Sequence, residues 1–140
     1  MQVKKWAMVA MLAAAVAVTG CKQGKVAEVH HPAKLEKSDQ EGIMRVRLEA
    51  KAAERLGLQT APVRQEGDKL VVPYGAIMYD TKGTTWTFTN PEPLVYVRHK
   101  VMVQGIEGDR VILTDGPPAG TNVVTVGAAE LMGAEHKYGH

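Results

Sequence analysis

The sequence predicts an all-β domain with a minor helical part, a small barrel-like or sandwich-like module behind an export leader. Three observations point there. From Ile43 onward apolar residues recur mostly with a period of two, the spacing of strands. Clusters of Gly, Pro, Asn and Asp punctuate these runs at short intervals, as they do in small all-β domains. The one long uncharged stretch, Trp6 to Val18, spans 13 residues. A membrane-crossing helix needs roughly 20.

The leader comes first. Lys4 and Lys5 precede the apolar stretch, giving the charged and apolar regions of a signal peptide. It closes on Val18-Thr19-Gly20-Cys21, which resembles the bacterial lipobox, Leu-Ala/Ser-Gly/Ala before Cys. That resemblance implies cleavage before Cys21, a thioether-linked diacylglycerol on its sulfur and acylation of the new amine. The expected chain is exported and anchored to the cell envelope by lipid at Cys21. Lys22 follows, where Asp would be the common inner-membrane retention signal, so either membrane is open. The expected organisation is signal peptide 1–20, flexible tether 21–42, β-rich domain 43–133 and disordered tail 134–140. Polar composition argues for the tether, whose twenty or so residues would reach roughly 25 Å.

Charge excludes one class of partner. The chain has 17 basic and 15 acidic residues. Loss of Lys4 and Lys5 leaves 15 of each, so the mature form has no net side-chain charge. A nucleic-acid-binding domain begins from a basic footprint, and no nucleic acid is expected as partner.

Within the domain, Met44 to Leu48 alternates as a strand, and Ala50 to Leu56 reads as a short helix stopped by Gly57. Leu58 to Val63 is a second strand. Gly67-Asp68 turns the chain into Leu70 to Tyr79, where Pro73 and Gly75 predict an edge strand or a bulge. Asp80 to Gly83 is a hairpin signal. Beyond it Trp86 and Phe88 share one face, read as core, with Thr85, Thr87 and Thr89 on the other. Asn90 to Pro93 predicts a rigid turn. Val95, Val97, Val101 and Val103 then share a parity opposite Tyr96, Arg98 and Lys100, as in one strand. Arg110 to Thr114 and Val123 to Val126 complete the strands, and Ala128 to Met132 is a last short helix.

Several of these words occur together. Val72-Pro73-Tyr74-Gly75-Ala76-Ile77-Met78-Tyr79-Asp80, then Gly83 and Thr85-Trp86-Thr87-Phe88, is followed by Tyr96-Val97-Arg98-His99-Lys100-Val101. Gly120 and Val123-Val124-Thr125-Val126-Gly127-Ala128 lie downstream, and Leu48 with Ala53 to Val63 upstream. This series, about 85 residues long, resembles the membrane-proximal part of periplasmic adaptors (membrane fusion proteins) of resistance-nodulation-division efflux pumps. The resemblance implies an adaptor-like β module and a non-catalytic, accessory role in efflux. Its implied partner is an inner-membrane efflux transporter or a full-length adaptor. Docking would use the Val72–Tyr79 strand and the Asn90–Pro93 turn, with Val72, Pro73, Tyr74, Asn90 and Pro91 as contact residues. A full adaptor carries a lipoyl-like domain and a helical hairpin where only Arg64 to Val71 stands here. With no heptad pattern, this chain supplies no such hairpin, and a remnant without transport role is the bland alternative.

Catalysis has few candidates. Ser38 is the only serine and Cys21 the only cysteine, so no scaffold-held nucleophile is expected. Asp80 and Asp115 stand beside turn glycines, where aspartate bonds the backbone. No enzyme activity and no cofactor are expected. Metal handling (copper or silver) is the second alternative, since imidazole suits such ions. Its weak candidates are His30, His31, His136 and His140. His99, sharing parity with four valines, is either a half-buried histidine or the mark of a bulge, and Met44, Met78 and Met102 read as core filling.

Overall fold

The computed structural model describes residues 31–138. The leader, Cys21, His30 and His140 lie outside the described residues. In chain order the elements are β1 (Ala33–Lys37), β2 (Met44–Leu48), α1 (Ala50–Leu56), β3 (Gln59–Pro62), β4 (Arg64–Glu66) and β5 (Lys69–Pro73). A single 3-10 turn (Tyr74–Ala76) leads to β6 (Met78–Tyr79), β7 (Thr85–Glu92), β8 (Val95–Lys100) and β9 (Met102–Glu107). The chain ends in β10 (Arg110–Asp115), β11 (Asn122–Val126) and α2 (Ala128–Tyr138).

The strands form two antiparallel sheets, so the molecule is mostly β with two short helices. One sheet has the order β1-β2-β8-β7-β11-β3, with β6 sharing the β7 edge that β11 also uses. The other has the order β4-β5-β10-β9. They do not close into a barrel.

Each sheet covers an apolar cluster. Val46, Leu48, Phe88, Tyr96 and Val124 form the first with Ala128 and Leu131 of α2. Val63, Val72, Ala76, Val101, Val111, Leu113 and Val123 form the second. Alternate side chains of a strand point to opposite faces, and β11 uses both. Val123 enters one cluster and Val124 the other, and both are fully buried. The strand is a wall common to the two cores.

Local signals are realised. Helix α1 ends at Gly57, whose φ of 60° places its N–H on the carbonyls of Ala53 and Glu54. Gly67 and Asp68 connect the paired residues Glu66 and Lys69.

Five readings need correction. Residues 33–37, placed in the tether, form β1 in unbroken register with β2, from Ala33↔Leu48 to Lys37↔Met44. Two apolar residues, Ala33 and Leu35, suffice because β2 supplies the hydrogen-bonding partner. Residues 134–138, placed in a disordered tail, continue α2, which Glu135 anchors to the sheet. Strand β5 is interior, between β4 and β10, not an edge strand. Pro73 is compatible because it is the last residue and leads into the 3-10 turn. The Asn90–Pro93 turn is instead strand through Glu92, irregular in register after Thr89. The reversal falls at Pro93-Leu94, with Leu94 at φ 63°. Finally, the valine-rich run is two strands. It leaves the first sheet after Lys100 and enters the second at Met102. Val101 joins them with its N–H on the Thr85 carbonyl, 3.0 Å away.

Candidate docking surface and its supporting network

Large apolar side chains that stay exposed cluster in two places on the chain. Tyr74 is 49% exposed, Tyr79 56% and Val126 44%. Met102 and Ile106 of β9 are similarly open. On β9 the register with β10 shifts twice, beyond Ile112 and beyond Leu113. Such irregularity blunts an edge against strand addition.

The segments bearing Tyr74, Tyr79 and Val126 converge. The 3-10 turn packs on β11, because Gly75 lies against the Thr125 carbonyl; a Cβ at Gly75 would stand 2.6 Å from that oxygen. Strand β6 pairs Met78 with Trp86 and Tyr79 with Thr85, beyond the point where β11 pairs Val123 with Thr89. The Tyr74 N–H donates to the Asp109 carbonyl at 2.8 Å, and the Ile77 N–H donates back to the Tyr74 carbonyl at 3.0 Å. Both tyrosines are therefore presented by ordered backbone.

A polar network holds the hairpin after Tyr79. One oxygen of Asp80 accepts from the N–H groups of Lys82 (2.8 Å) and Thr84 (2.9 Å), and the other accepts from Trp86 Nε1 (3.0 Å). These bonds, that of Trp86 foremost, hold the Asp80 carboxyl at about 2, below its ordinary 3.8. The Arg98 guanidinium lies over the Trp86 ring, and its Nε donates to Glu135 of α2 at 3.0 Å. Glu135 is buried and also accepts from the Met44 N–H at 3.1 Å. Its second oxygen, also 3.0 Å from Arg98 Nε, has no aligned donor of its own.

The other predicted contact residues divide. Val72 is fully buried and opposite Val111 on β10, so it belongs to the core and cannot meet a partner. Pro73 is half-buried and Pro91 exposed. Asn90 Nδ2 donates to the carbonyls of Glu92 (2.7 Å) and Val95 (2.9 Å), an internal role. Tyr79 ends the predicted docking strand without being singled out as a contact, and Val126 lies outside the prediction, because its run reads as ordinary strand.

Three of the predicted or weighed histidines lie among the described residues. His31 precedes β1, His99 is half-buried opposite Thr87 on β7, and His136 places Nδ1 2.7 Å from the Met132 carbonyl of its own helix. Among the described residues no three His, Cys, Asp or Glu side chains are grouped to hold a metal ion. No described helix is long and apolar enough to cross a membrane.

No family model, curated protein or solved structure matches the chain.

Proposed function

We propose that this chain is a lipid-anchored, non-catalytic docking module of the bacterial envelope that serves an efflux assembly as an accessory subunit. The observation that carries the proposal is the rigid display of Tyr74, Tyr79 and Val126. Aromatic side chains with an apolar body and a polar tip are favoured at protein interfaces. Here they stand on backbone fixed by Gly75, Asp109 and the Asp80 turn. Two further points support the reading. The segments that resemble an efflux adaptor are neighbours in space, with β3, β11, β7 and β8 adjacent in one sheet. The place where a full adaptor carries its inserted domains is spanned by the tight β4–β5 hairpin. Lipid on Cys21 would keep the module beside a membrane partner, an inner-membrane transporter or a full-length adaptor.

The test is photo-crosslinking in intact cells, with a benzophenone amino acid at position 74 or 79. Both positions should capture an envelope transport protein, and a control at Asp68, in the β4–β5 turn at the other end of β5 from Tyr74, should not. Capture of no such protein from either position would sink the proposal. Incorporation of a palmitate analogue, lost in Cys21→Ala, checks the anchor separately.

A further inference from the structure

The margins of the two sheets differ in how they could receive another strand. Strands β4 and β6 have only three and two residues. Strand β3 ends in Pro62 and shifts register against β11, and β9 shifts twice against β10. Strand β1 is regular: its five residues pair β2 without a break, and among the described residues no strand pairs its other side. Such a row of unpaired N–H and C=O groups is a template for strand addition.

We propose that this edge binds the same edge of a second copy, so that the chain forms a two-fold dimer through β1. Charge selects this occupant. Lys34 and Glu36 share one face of β1, because successive side chains of a strand alternate. On the β2 side, Lys34 stands opposite Arg47, a like charge, while Glu36 stands opposite Arg45 and accepts from Arg47. Lysine at an edge ordinarily repels a further strand, but the spacing of Lys34 and Glu36 makes β1 complementary to itself. Two β1 strands set antiparallel about an axis at Leu35 put Lys34 opposite Glu36 of the second copy, twice over, with Leu35 opposite Leu35. Opposite charges that face each other across strands stabilise the pair, and like charges weaken it. Sliding the register by two residues either way sets Lys34 against Lys34 or Glu36 against Glu36. Sliding it by one turns the Leu35 face of one copy onto the Lys34 face of the other. Lys37, on the Leu35 face, meets Ala33 in the favoured register. A two-fold contact of this kind closes at two copies. It leaves the surface around Tyr74 untouched, since β11 lies four strands away.

Sedimentation of the chain from residue 21 to 140 tests it, with Cys21→Ser so that no acyl chain drives association. The protein should form dimers in proportion to its concentration. Lys34→Glu sets a carboxylate opposite Arg47 within each copy, which keeps β1 in place, but it faces Glu36 of the other copy with a like charge. It should raise the dissociation constant at least about tenfold, and Glu36→Lys should act in the same direction. An equimolar mixture of the two variants should recover wild-type association, since each supplies the charge the other lacks. Circular dichroism matching that of the wild type reports that both variants are folded. A chain that stays monomeric up to about 100 μM would overturn the proposal, as would dimers that Lys34→Glu leaves unchanged. A mixture of the folded variants that associates no better than either alone would overturn it as well.

Discussion

Arg98 lies over the indole of Trp86, with its guanidinium carbon 4.5 Å from the ring centroid. The same guanidinium meets Glu135 on α2, so one side chain joins the β6–β7 hairpin, strand β8 and the C-terminal helix. The pair is secluded: the side chains of Arg98 and Glu135 are 14% and 5% exposed.

Removing Arg98 should therefore cost more than losing a surface ion pair. Arg98→Ala leaves a buried carboxylate without its cation, a change worth about 3–5 kcal/mol. Arg98→Lys keeps a charge but loses the flat contact with Trp86, and should cost less, on the order of 1 kcal/mol. Urea unfolding of the two variants measures both. An Arg98→Ala midpoint equal to that of the wild type would show that the pair does not hold α2 in place.

Asp80 gives the fold an acid-sensitive hairpin. Its carboxyl titrates at about 2 in the folded chain against an ordinary 3.8. Between those values the unfolded chain binds more protons, so stability falls as pH falls. The contribution is complete above about pH 4 and is lost as pH drops through about 2. Thermal melts should show a fall across that window that is shallower in Asp80→Asn. Identical slopes for the two proteins would count against the Trp86 and turn bonds as its cause.

Gly75 is a position where any side chain meets backbone. A Cβ there would lie 2.6 Å from the Thr125 oxygen, so Gly75→Ala must push the 3-10 turn away from β11. The expected loss is about 1–3 kcal/mol, as for other overpacked sites. Tyr74 would move with the turn, so crosslinking from position 74 should fall while that from position 79 changes less.

Thr87 offers the opposite kind of change. It is fully buried and its hydroxyl has no hydrogen-bond partner. An unmet buried polar group costs about 1–3 kcal/mol. Thr87→Val keeps the shape, removes the hydroxyl and should raise stability by about 1 kcal/mol or more. A drop in the unfolding midpoint would mean the hydroxyl has a role this geometry does not account for.

Thr87 also illustrates what the sequence could convey. Alternation correctly puts Phe88 inside, but it assigns the threonine face of β7 to solvent. That face is covered because Thr89 stands beside Val123, a member of the second core. Period-two patterns identify strands, yet cannot say that a second sheet will land on the polar side. Gly57 and Asp80 were legible because their bonds lie within a few residues of them. Strand β1, the length of α2 and the break at Val101 were not, since each depends on a partner far along the chain. For the docking surface, Tyr74 and the strand ending at Tyr79 could be named in advance, whereas Val126 emerges only when β6 and β11 are seen to share an edge of β7.

Strand order has a mechanical corollary. The chain enters at β1, one margin of the larger sheet, while β11, which bears Val126 and abuts the turn of Tyr74, is the fifth strand across. Four inter-strand spacings of about 4.8 Å make about 19 Å. Every neighbouring pair between these strands is hydrogen-bonded, so this length belongs to a stiff plate with no slack in it. The sheet thus acts as a ruler, separating the entry of the chain from its exposed tyrosines by a fixed width.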